Sequence, residues 1–94
     1  MSVFMVTWNL NKEGPNYSEA RRLFVQHLDR YESIRDIGLD SVRWVRSAGT
    51  AKQVSDDLST KIDSNDRLVV TEMNRDEYYG WLDKGTWDWI QARL

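Results

Sequence analysis

The stretch VFMVTWNLNKEGP, Val3 to Pro15, begins with apolar, β-branched and aromatic residues and ends in polar sequence containing Gly and Pro. An apolar run from Val3 to Trp8 that breaks into turn formers reads as a buried strand entering a loop. It delivers one polar side chain, Asn9, at its exposed end. Asn is favoured where a strand turns, because its amide satisfies nearby backbone groups and tolerates left-handed conformations. Asn11 suits the same role.

After that strand, PNYSEARRLFVQHLDRY predicts the first helix. Asn16 can cap it, Glu19 three residues on closes a capping box, and Pro15 stands just before the start. Ala20, Leu23, Phe24, His27, Leu28 and Tyr31 recur on one face, with Arg21 and Arg22 outside. In YESIRDIGLDSVRWVRS, two alternating segments, 31–37 and 41–47, flank a link of hairpin length and are expected to pair antiparallel. GTAKQVSDDLSTKI predicts the second helix, capped by Thr50 with Gln53 completing the box, and burying Ala51, Val54, Leu58 and Ile62.

DSNDRLVVTEM moves from turn formers into Leu68, Val69 and Val70, an apolar triplet that suits a strand covered on both faces. Beyond about residue 74, Trp81, Leu82, Trp87, Ile90 and Leu94 mark a terminal helix packed on the domain or on a partner. Trp87 and Trp89 are only two apart, so one helix face cannot bury both. One of them is expected at a partner subunit or another surface, and the three tail tryptophans, Trp81, Trp87 and Trp89, could mark an interface or equally close the core of a small domain.

The order strand, helix, strand, strand, helix, strand, with a C-terminal helix appended, is the β-α-β-β-α-β ferredoxin-like pattern. The expected fold class is therefore α+β, an antiparallel sheet with two helices on one face, in a single domain over residues 1–94. Right-handed crossovers place both helices on the same side. The other face then needs cover, which predicts a dimer.

Composition narrows the function classes. Ninety-four residues suit one domain, and 40% hydrophobic with 30% charged residues is ordinary for a globular chain, although five Trp are many. The absence of Cys removes disulfides and thiolate metal sites and suggests a reducing cytoplasm. The start MSVFMVTW lacks the pattern of a secretory signal, and no run approaches the length of a membrane span, so no membrane association is expected. A net charge of −2 argues against non-specific nucleic-acid binding by the chain as a whole. Only a local basic patch would serve.

With TWNLNK closing the first strand and DSNDRLVV entering the last, the chain resembles small proteins related to the smaller of the two universal CRISPR adaptation proteins. That resemblance runs from Val3 to Met73. It implies the ferredoxin-like fold, a homodimer and, in some members, metal-dependent nuclease activity supported by an acidic residue that closes the first strand. Asn9 stands at that position. An amide offers only a neutral carbonyl oxygen where Mg²⁺ prefers carboxylates, so the family's pattern fails here. Asp66 or Glu72 would have to compensate.

Other candidates have plain alternatives. His27, the only histidine, falls on the apolar helix face and reads as a packing residue, with no triad partners at recognisable spacing. Asp56 and Asp57 read as a solvated face, and Asp63 and Asp66 as a turn. No phosphate-binding loop is present in the sequence. Arg35, Arg43 and Arg46 fall within one hairpin and, with Lys12, Arg21 and Arg22, could form a positive strip for nucleic acid, gripping phosphate beside Trp8 or Trp44 as stacking platforms. The alternative is ion pairing with Glu32 and Asp36.

The expected function is a cytoplasmic, dimeric, nucleic-acid-associated or regulatory interaction module without a complete catalytic site and without a resident metal or cofactor. Its alternative is a Mg²⁺-dependent endonuclease or endoribonuclease of the same superfamily.

Overall fold

The computed structural model describes residues 1–11 and 15–94. The chain is an α+β protein with a four-stranded antiparallel sheet and three helices: β1 (Ser2–Asn9), α1 (Pro15–Leu28), β2 (Glu32–Ile34), β3 (Val42–Ser47), α2 (Ala51–Ser59), β4 (Arg67–Glu72) and α3 (Lys84–Arg93). The strand order is β2-β3-β1-β4. Thus β1 lies inside the sheet, with Met5 across from Trp44 on β3 and Thr71 on β4.

Alternation on β1 separates two cores. Phe4, Val6 and Trp8 face α1 and α2, where they meet Phe24, Leu28, Val45, Val54 and Leu58, and the Trp8 and Phe24 rings lie 5.1 Å apart. The opposite row, Val3 and Met5, packs with Trp44 on β3 beneath Ile90, Trp87 and Leu82. The appended helix therefore covers part of the face that the sequence leaves open. It does so by its own residues, without a second chain.

Coverage stops short of β4. Val69 shares its row with Thr7 and is 56% exposed, which corrects the expectation of a strand covered on both faces. The physical reason is position: β4 is an edge strand, and α3 sits over β1, β2 and β3 side chains. Leu23 is likewise exposed rather than buried, because it lies off the Phe24 and Leu28 stripe of α1.

Helix starts follow two different rules. Thr50 caps α2 as its spacing predicts: its side chain accepts from the Gln53 backbone N–H at 3.1 Å, and the Gln53 side-chain Oε1 accepts from the Thr50 N–H at 2.8 Å. In α1 the helix already includes Pro15, so Asn16 lies within it and is not its cap. Glu19 instead accepts two hydrogen bonds from Arg22.

Polar groups hold α3 at both ends. Asp36 is buried and accepts from the N–H groups of Gly38 and Asp83 and from the Thr86 hydroxyl. Those three bonds hold its carboxyl below the usual range, the Asp83 N–H contributing most. At the far end, Glu32 accepts from Arg93 at 2.6 Å and from Arg46 at 3.3 Å. Among the described residues no helix is long and apolar enough to cross a membrane.

Candidate functional site

Asn9 closes β1 in register with Arg67, and its Nδ2 donates to Asn11 Oδ1 at 2.9 Å. Asn11 in turn exchanges bonds with the turn before β4, its N–H donating to Asp66 Oδ1 at 2.7 Å while the Asn65 amide donates to its carbonyl at 3.0 Å. The other Asp66 oxygen accepts from the Asp63 N–H at 2.8 Å. Both oxygens of this buried carboxylate are thus engaged by backbone N–H groups. Chemically, the cluster stitches the end of β1 to the entry of β4.

Glu72 lies at the other end of β4, across from Phe4. At about 3.4 Å per residue, five residues separate it from the Asn9 end by roughly 17 Å. It cannot share an ion with Asn9. Among the described residues no three His, Asp or Glu side chains converge.

The three hairpin arginines are not brought together. Arg43 pairs in register with Val6 and faces the α1 side, where it forms an ion pair with Asp29. Arg46 pairs with Val3 on the α3 side and binds Glu32. The Nε atoms of both are buried without a hydrogen-bond partner among the described residues. Arg35 is exposed. Trp8 and Trp44 are buried in opposite cores, so neither ring face is open as a platform. Arg21 donates to the Asp40 carbonyl and Arg22 pairs with Glu19, while Lys12 lies outside the described residues.

One constellation was hidden in the sequence. Asp57, on α2, receives Tyr31 at 2.6 Å, forms an ion pair with Arg30, and lies 3.1 Å from His27 Nε2. Burial by itself pushes the Asp57 carboxyl up, but Tyr31 and Arg30 together hold it below the usual range. Burial, then the contact with Asp57, pushes the Tyr31 phenol up to about 12. The geometry ties the end of α1 to α2. His27 serves there as a partly buried packing and hydrogen-bonding residue.

The most unusual surface lies where α3 stops covering the sheet. A groove of about 300 Å³ runs over Met5, Trp44 and Met73 and is walled by Trp87 and Leu82. Trp87 is backed by Tyr78, stacked on it at 5.6 Å. At its rim Tyr79 is 99% and Trp81 97% exposed. Trp81, rather than Trp87 or Trp89, is thus the tryptophan left for another surface: Trp87 and Trp89 both pack against the second core, and Arg93 lies over the Trp89 ring. The expectation that Trp81 and Leu82 belong to the terminal helix is corrected here: α3 begins at Lys84, and both residues precede it in irregular chain. The cue in hand was the surplus of tryptophan itself.

Comparison with known proteins returns no matching family model, no matching curated protein and no matching solved structure.

Proposed function

We propose that this chain is a ferredoxin-like interaction module that acts as a homodimer and carries no complete catalytic site. The ferredoxin-like reading is supported by the interleaved connections: β3 lies between β1 and β2, β1 lies between β3 and β4, and α1 and α2 pack in the same core. Both crossovers therefore skip one strand.

The observation that carries the dimer is the β4 edge. Among the described residues its outer backbone groups have no strand beside them, and Val69 is bare on the face that α3 leaves open. The strand RLVVTE has neither Pro nor Lys, residues that commonly protect an edge. Its ends carry opposite charges, Arg67 and Glu72. Antiparallel addition of a second copy sets the basic end of one strand beside the acidic end of the other. Closed two-fold dimers are the commonest soluble homo-oligomers, and pairing of this kind covers the edge.

Light scattering at micromolar concentration tests this. The expected mass is twice 11.1 kDa, reduced to one chain by Val69→Lys, an exposed substitution that leaves both cores intact. A strict wild-type monomer rejects the dimer.

The Mg²⁺-dependent nuclease has less support. Asn9 is engaged with Asn11, and Asp66, at the same end of the sheet, already accepts two backbone N–H groups. Nucleic-acid association would rest on Arg35, since Arg43 and Arg46 are each paired with a carboxylate.

A further inference from the structure

We infer that the groove beside Trp81 receives an arginine side chain from an extended segment of a partner protein. This deepens the interaction-module reading and rests on it. Three features of the groove converge on that occupant.

First, the two rim aromatics are almost wholly in water, Tyr79 at 99% and Trp81 at 97% exposure. Large rings held outside any core are costly to hydrate and are the residue types that dominate protein interfaces. Second, no Lys or Arg lines the groove, and the charged side chain at it is the exposed Glu77, since Glu72 shares the Phe4 row on the other face of the sheet. A cation entering the groove meets negative charge and ring faces together, an arrangement that attracts guanidinium and ammonium groups. The same carboxylate repels phosphates, which sets nucleic acid aside as the occupant.

Third, the floor is apolar. Met5 and Met73 there, with Leu82 in the wall, can take the aliphatic stem of a long side chain while its charged head remains at the rim. Arginine fits better than lysine because a planar guanidinium can stack on indole and reach carboxylates through several donors. Thioether side chains in the floor adapt to the shape that enters. The rim residues Tyr79 and Trp81 lie in water, so a peptide can reach the groove and leave one side chain inside.

The test uses the full chain and the peptide acetyl-Gly-Val-Arg-Val-Gly-amide, beside the same peptide with citrulline, a neutral isostere, in place of arginine. Binding is read from tryptophan fluorescence and from the indole N–H signal of Trp81 at low salt. The arginine peptide is expected to bind saturably and to shift that signal. Citrulline, Trp81→Ala and Glu77→Gln are each expected to weaken binding about tenfold, a change within the range of a desolvated cation on an aromatic face. Trp81 and Glu77 are exposed, so unchanged thermal midpoints confirm that both variants fold. Equal binding of the two peptides, no binding at millimolar peptide, or displacement of the Trp81 signal by single-stranded RNA instead overturns the inference. Light scattering on the same samples separates the two readings. Peptide failure with an intact dimer rejects the groove alone, whereas a monomer that binds the arginine peptide rejects the dimer and leaves the groove standing.

Discussion

Replacing Ile90 with Ala should loosen α3 without unfolding the rest of the protein to the same degree. Ile90 is fully buried between α3 and the sheet, against Val3 and Trp44. Removing a buried isoleucine to alanine costs about 2–5 kcal/mol, the transfer of the lost carbons plus the cavity they leave. Among the described residues, the core that it belongs to contains three buried apolar residues, whereas the core beneath α1 and α2 contains nine. A ten-residue helix is marginal on its own, so α3 depends on that small core and on its polar fastenings. A loss of this size should convert a rare opening of α3 into a readily measured one. Native-state hydrogen exchange reads this directly: amides of α3 should lose protection by up to the full 2–5 kcal/mol, while those of β1 and α2 lose less. Leu58→Ala is the counterpart, since Leu58 is equally buried in the larger core. It should lower protection across all elements together. If Ile90→Ala lowers every element by one common amount, α3 is not a separable unit and the two-core reasoning fails.

Three further expectations can be checked quickly. Because Asp36 has a depressed carboxyl in the folded state, its contribution is present above the ordinary carboxylate range and is lost as pH falls through that range toward the folded value; acid titration followed by tryptophan fluorescence should show α3 loosening first, and Asp36→Asn should remove that phase. Thr50→Ala removes one half of the α2 capping box and should cost about 1 kcal/mol, a fall of about 4–8 °C in Tm, with no change if the cap is idle. Tyr31, raised to about 12, contributes stability that is complete below its ordinary value near 10 and fades as pH rises toward 12; ultraviolet titration of the phenol should show one late-ionising tyrosine that is absent in Tyr31→Phe.

Much of the architecture was legible because local signals agreed with their surroundings. The apolar run in β1, the Thr50 and Gln53 box and the Val54 and Leu58 stripe each describe contacts made within a few residues, and the fold keeps them. The errors have a common cause. An apolar triplet at 68–70 says nothing about whether its strand is central or at an edge, a property set by strand order, and so it does not foretell that Val69 lies bare. A solvated Asp57 is the natural reading of the sequence because its partners, His27 at the end of α1 and Arg30 and Tyr31 just beyond it, are far away in the chain. The same limit hid the role of Asp36, whose ligands include groups from Asp83 and Thr86. The arginine strip fails by parity: Arg43 and Arg46 are three apart on one strand, and successive side chains on a strand point to opposite faces. That last point could have been settled by counting.

The inner position of β1 has a consequence for how the chain is made. Thr7 finds Val42 on one side and Asn9 finds Arg67 on the other, so both neighbours are synthesised after β1 itself. At about 5–20 residues per second, the most apolar strand waits some seconds with both of its edges unpaired. During that interval SVFMVTWN is a short, uncharged, β-prone segment, the kind that associates with copies of itself. Yield in rapid overexpression should therefore respond to the rate of translation between β1 and β4 as well as to the stability of the finished fold.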